Sequence, residues 1–153
     1  MIKVSKPATA PKNFRERGKQ ETTKLKTAYS RNPGDYISGA KKFEFKSSIF
    51  GAKSVKSALK KAHKDKCCFC ESLVTVVAYG DVEHFRPKGR FRQIASQDLQ
   101  RPGYYWEAYN WDNLYFSCQS VISGRRRTCI LWRLPAPAPA TTRINWPTKN
   151  HYL

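Results

Sequence analysis

Between residues 54 and 64, Val55, Leu59 and Ala62 recur at i, i+4 and i+7 with lysines on the other face. That spacing predicts an amphipathic helix delivered directly into Cys67. Residues 12 to 29 are rich in Arg, Lys, Glu and Gln with few breakers, which predicts a basic helix. Asn32-Pro33-Gly34-Asp35 is expected to stop it and to open a loop. The period then changes. Leu73-Val74-Thr75-Val76-Val77-Ala78-Tyr79 is β-branched and aromatic, Gly80-Asp81 reads as a turn, and Val82-Glu83-His84-Phe85 reads as a second short strand. A β-hairpin carrying His84 is the expected product. Residues 86 to 103 are basic and loop-like, with Pro87, Gly89, Pro102 and Gly103. The aromatic run from Tyr104 to Trp111 reads as core packing around a small metal site, with base stacking as the alternative.

Charge changes the picture more than length does. With 153 residues the chain is one domain long, and Lys+Arg 29 against Asp+Glu 11 gives a net charge of +18. Clustered cations gain most by displacing counterions from nucleic acid, so DNA or another polyanion is the expected partner. Anionic membrane or ribosomal RNA is the rival. No apolar run approaches the roughly 18 residues of a spanning helix. The opening Met1-Ile2-Lys3-Val4-Ser5-Lys6 lacks the apolar core of a signal peptide, so a cytoplasmic protein is expected, with no membrane partner. Residues 1 to 11, with Pro7 and Pro11, read as an extended lead-in whose lysines either lie on phosphates or are solvated.

Five cysteines in a reducing compartment, an odd number with C-x-x-C spacing, favour metal over disulfides. Cys67 and Cys70 form one knuckle, and Cys118 is half of a second. Two such knuckles converge four thiolates on one tetrahedral zinc. The fourth ligand is expected at position 121, which is Val121. A thioredoxin-like redox pair is the alternative, but no βαβ pattern accompanies the motif. Cys68 reads as a small buried filler, and Cys129 as a replacement ligand at the wrong spacing. Between the cysteine elements lie Glu83 and His84. Adjacent strand residues face opposite sides, so both reach one metal-and-water cluster only if the strand ends or bends there, and Pro87 favours an ending. An imidazole can take a proton from water near neutral pH, and a carboxylate can hold a hard divalent ion against a phosphate.

Cys67-x-x-Cys70, Glu83-His84-Phe85-Arg86-Pro87-Lys88 and Tyr109-x-Trp111-x-Asn113-Leu114-x-x-x-Cys118 together resemble the HNH (His-Asn-His) endonucleases with a ββα-metal core. Within them the chain is most similar to the HNH proteins of Septu-type and retron-linked anti-phage systems, usually encoded beside an ATPase. The likeness takes in the segment around Lys41-Lys42-Phe43 and covers most of residues 1 to 120. It implies His84 as the general base that activates water and Glu83 as a ligand of the catalytic divalent ion, Mg²⁺ or Mn²⁺. It also implies Asn113 as the brace that orients the histidine, structural zinc on Cys67, Cys70 and Cys118, and Arg86 and Lys88 on phosphate. The third metal position, on the helix of the ββα unit, holds Ile122, which cannot ligate.

All eleven acidic residues precede Val121, and the thirty-three residues from Val121 to Leu153 include the Pro/Ala run Leu134–Ala140. The genetic code permits codons for Val121-Ile122-Ser123-Gly124 that, read one base earlier, spell Cys-Asn-Gln-Arg, the family's continuation. A single-base deletion or a sequencing error near codon 120, with an accidental peptide beyond it, is therefore expected. The expected fold is α+β: a basic, mainly helical region over 1–66, an HNH core of treble-clef-like ββα-metal type over 67–120, incomplete at its C-terminal end, and an aberrant or disordered tail over 121–153. The expected function is metal-dependent hydrolysis of DNA phosphodiester bonds in anti-phage defence, impaired in this copy. The alternative is a non-catalytic basic zinc module that binds nucleic acid or a partner ATPase.

Overall fold

The computed structural model describes residues 4–74, 80–92 and 96–119. Val121, Ile122, Cys129 and the Pro/Ala tail lie outside the described residues, as do Thr75–Tyr79 of the first expected strand and the helix that would complete a ββα unit.

Helix α1, Lys12–Arg31, follows the basic segment and buries Phe14, Gly18, Glu21 and Leu25, a stripe spaced by four, three and four residues. Gly18 is the point of closest approach, since a Cβ there would stand 3.0 Å from the Cβ of Tyr109. Where a loop was expected, a second short helix follows: α2, Pro33–Ser38. Pro33 explains the difference. At a first helical position its fixed φ is already helical and its missing N–H leaves nothing unpaired. Gly39, at φ 84, then ends the helix in the left-handed region. Helix α3 is Ser47–Phe50 and α4 is Lys53–Ala62, the latter burying Val55 and Leu59 as the apolar spacing requires. Lys64 and Asp65, both at positive φ, turn the chain out of α4 and into the cysteine knuckle.

The expected hairpin is redrawn. Strand β1, Gly80–His84, pairs antiparallel with β2, Leu114–Cys118, in the register Val82 to Phe116 and His84 to Leu114. Leu73, at the start of the other expected strand, makes an isolated bridge with Lys66. Gly80 is not in a turn but inside β1, because the ring of Phe116 occupies the space that a Cβ would need. Two single-turn 3₁₀ helices, Tyr105–Glu107 and Trp111–Asn113, carry the aromatic segment up to β2.

One cluster of buried side chains draws on both halves: Phe14 and Leu25 of α1, Ile49 and Phe50 of α3, Val55 and Leu59 of α4, with Tyr105, Tyr109, Trp111 and Leu114. The aromatic run is thus mostly core, as its density suggests, although Trp106 stays 37% exposed. Lys6 belongs to neither reading of the lead-in. Its ammonium donates to the carbonyls of Trp111 (2.8 Å), Asp112 (3.0 Å) and Leu114 (3.1 Å) and lies 4.4 Å from the centroid of the Tyr115 ring. Burial lowers its pKa to about 8, against the opposing pull of Asp112. The lysine thus gathers three carbonyls where the second 3₁₀ turn passes into β2, of which that of Trp111 also accepts the Leu114 N–H.

Candidate metal centre and histidine site

The Sγ atoms of Cys67, Cys70 and Cys118 all lie within 4.8 Å of one another. The Cys70 and Cys118 sulfurs are 3.7 Å apart, close to the edge of about 3.8 Å that a tetrahedron with zinc–sulfur bonds of about 2.3 Å requires. Cys67 is placed by the turn after α4 and Cys118 by the last residue of β2, whose N–H donates to the Cys67 sulfur at 3.3 Å. The Phe69 N–H donates to the same sulfur at 3.5 Å. Burial pushes the Cys67 thiol up, but donors from Cys70, Cys118 and Phe69 outweigh it, and its pKa falls to about 7. This donor set fits a structural zinc. Cys68 is buried, with its N–H on the Phe116 carbonyl, and stands outside the sulfur cluster.

His84 closes β1. Its Nε2 is 2.9 Å from the Ala108 carbonyl oxygen, and since a carbonyl only accepts, Nε2 carries the proton. Nδ1 then holds the lone pair and accepts from Lys88 Nζ at 3.2 Å. The ring is 6% exposed and stands edge-on to Phe50, centroids 4.8 Å apart. Burial first, and then Lys88, bring its pKa down to about 3, against the Ala108 hydrogen bond that favours the charged form. Lys88 is itself half-buried over the Phe50 ring at 4.5 Å, and burial lowers its pKa.

Asn113 ties this corner together. Its side chain accepts from the Arg86 N–H at 2.7 Å and donates to the carbonyls of Arg86 (3.2 Å) and Glu107 (3.0 Å). Its own carbonyl accepts from Phe85 N–H at 2.9 Å. The residues just after His84 and just before Ala108 are thereby held on one buried amide. Arg86 lies 5.7 Å over the Tyr104 ring. Glu83 takes the face of β1 opposite Val82 and His84, and its carboxylate accepts from the His84 N–H at 3.2 Å. His84, Lys88, Asn113 and Arg86 thus meet in one place, with the Glu83 carboxylate beside them on the His84 N–H, and the three cysteines meet in another. Among the described residues, no group of three His, Cys, Asp or Glu side chains other than the cysteines converges on a point.

Three residues of this region had no signal in the sequence. Ala108 acts through its carbonyl, which every residue possesses. Phe50 is one apolar residue among many. His63 is a third: fully buried beneath β2, its Nε2 accepts from the Phe116 N–H at 3.4 Å, and burial lowers its pKa to about 4.

The chain is 46% identical over 78 residues to the Septu protein PtuB of Bacillus mycoides strain KBAB4, a match covering 51% of this chain and 26% of that protein. The chain is a partial homologue of it, and the match spans about a quarter of the relative's length. No protein-family model matches the chain, and no solved structure does.

Proposed function

We propose that this chain derives from a metal-dependent HNH endonuclease that hydrolyses DNA phosphodiester bonds in a Septu-type anti-phage system, alongside a partner ATPase. The observation that carries the reading is the state of His84: one ring nitrogen is committed to a backbone carbonyl, and the other is presented as a lone pair beside a lysine. A positioned imidazole of fixed tautomer is what general-base activation of water requires. The kinship with a Septu protein supports the same setting.

In this reading Nδ1 takes a proton from water as the water oxygen attacks phosphorus and the bond to the leaving oxygen breaks. Lys88 first has to leave Nδ1, and a phosphate oxygen is a stronger acceptor for it than an imidazole. The exchange removes a cation from the ring and adds an anion, which raises the His84 pKa from about 3 toward the range of a working base. Arg86 holds a second phosphate oxygen, and Asn113 keeps the loop from Phe85 to Lys88 in register. A divalent ion, Mg²⁺ or Mn²⁺, would neutralise charge at the scissile phosphate, with Glu83 as its carboxylate ligand. Zinc on the three cysteines would hold the knuckle under β2. With Val121 and Ile122 where Cys and a metal ligand are expected, activity of the chain as written is weak.

Plasmid nicking with Mg²⁺ or Mn²⁺ tests this, using a protein whose reading frame is restored after Ser120. Cleavage abolished by His84→Ala is the expected result. DNA binding without cleavage in the restored protein would replace the nuclease with a non-catalytic zinc module.

A further inference from the structure

A groove of about 300 Å³ is lined by none of the cysteines, His84 or Asn113, and borders the histidine corner through Phe45. One wall is the segment after α2, with Lys42, Phe43 and Phe45, backed by Tyr36. The other is formed by Gly89, Arg90, Arg101 and Pro102, beside which Phe91 and Gln100 exchange backbone hydrogen bonds at 3.1 and 2.8 Å. The Gly103 N–H donates to the Gly89 carbonyl at 2.9 Å and fixes the base of this wall.

The chemistry of the two walls differs. Tyr36 and Phe43 stack at 4.1 Å with planes 9° apart, and Phe43 stacks again on Tyr105 at 4.4 Å. Phe43 is therefore locked in a column with Tyr36 at its end. Arg90 and Arg101 face this column and Lys42 flanks it on its own wall, and no described acidic residue pairs with any of the three. Lys41 differs, because Asp35 holds it at 2.7 Å. Arg101 packs over Gly39, where a Cβ would come within 2.9 Å of its Nη1, so the guanidinium is placed by the backbone. Unpaired cations beside flat π-faces form the combination that single-stranded nucleic acid uses, phosphate on the charges and base on the rings. A volume of about 300 Å³ is at the small end for a ligand site and too small for a duplex to enter.

We propose that this groove is a subsite for one nucleotide of a single strand, its phosphate held by Arg90, Arg101 and Lys42 and its base laid against Tyr36, the end of the column, and Phe45. Phe45 gives the subsite its direction. It lines the groove and also lies 5.6 Å from Lys88 Nζ, which is 3.2 Å from His84 Nδ1. A strand seated in the groove runs toward the histidine. That direction rests on the nuclease reading, whereas the subsite itself does not.

The test is fluorescence anisotropy of a short labelled oligothymidylate with the full chain, with a duplex of equal length as comparison. Arg90→Glu with Arg101→Glu is expected to weaken oligothymidylate binding about tenfold or more and to flatten its salt dependence. Lys19→Glu with Lys61→Glu, the same charge change outside the groove, is expected to cost much less. Tyr36→Ala should weaken the single strand by about fivefold or more while sparing the duplex, and Tyr36→Trp should restore it. All four arginine and lysine positions are exposed, so these variants keep the fold, checked by circular dichroism. Equal losses from the two charge pairs, or no effect of Tyr36→Ala, would overturn the subsite. The two proposals fail separately: a protein that binds through the groove and never cleaves loses the nuclease alone, and one that cleaves through His84 with the groove reversed in charge loses the subsite alone.

Discussion

Asn113 holds Arg86 by both ends of the residue's backbone, its Oδ1 accepting the Arg86 N–H at 2.7 Å and its Nδ2 donating to the Arg86 carbonyl at 3.2 Å. A single buried amide thus does for the loop after His84 what a ladder does for a strand. Asn113→Ala leaves the Arg86 N–H and two carbonyls without their partner, and buried polar groups left so cost about 1–3 kcal/mol each. We expect a loss of about 2–4 kcal/mol in urea unfolding, with faster hydrogen exchange at the Arg86 amide. Asn113→Asp retains the acceptor but not the donors, and should recover protection at Arg86 without recovering full stability. Equal stability of Asn113→Ala and the parent would remove the brace from the account.

Gly80 and Phe116 share a space that admits only one side chain. Gly80→Ala is expected to destabilise by about 1–3 kcal/mol, the usual cost of overpacking a filled core. In combination with Phe116→Leu, which withdraws the ring, the two changes should cost less than their sum. Simple additivity in the double-mutant cycle would show that the ring is not what excludes a side chain there.

The three-cysteine centre makes a prediction about metal. Cys118→Ala removes a ligand and a buried thiol at the end of β2 together, so bound zinc, counted by mass spectrometry of the metal, should be lost and the thermal midpoint should fall. Val121→Cys restores the second knuckle and should raise zinc affinity by more than tenfold, since metal binding in a small core is coupled to folding. Retention of zinc by Cys118→Ala would exclude this thiol as a ligand.

Two histidines set the response to acid. In the folded chain His84 titrates at about 3 and His63 at about 4, both below the unfolded value of about 6.5. Between those limits the unfolded chain binds protons that the folded chain refuses, so stability is complete above about pH 6.5 and falls with decreasing pH, by up to about 1.4 kcal/mol per pH unit for each histidine. His63→Gln should flatten that slope by one proton in urea titrations at several pH values. An unchanged slope would mean that His63 is protonated in the fold.

Much of the helical frame could be read in advance, because α1 and α4 depend on local composition and on an apolar stripe that is visible in the order of residues. The sulfur cluster was also legible, since a C-x-x-C spacing constrains geometry by itself. The pairing of β1 was not. Alternation identifies a strand but not its partner, and a glycine required for a turn looks the same as a glycine required under a ring. The environment of His84 was hidden for another reason: its Ala108 partner is a backbone carbonyl, which carries no side-chain identity. Lys6 was the hardest, because nothing about a lysine in a polar lead-in points to three carbonyls more than a hundred residues away.

That last attachment has a bearing on how the protein is made. The Lys6 ammonium and the Pro7 carbonyl, which accepts the Trp111 indole N–H at 3.0 Å, both wait for partners at positions 111 to 114. A ribosome delivers the first helix long before those partners exist, so the opening segment stays undocked until residues 111 to 114 have emerged. Assembly of the core is deferred to the moment when the stretch bearing Asn113 emerges, and until then α1 is a charged helix exposed to whatever polyanion lies nearby.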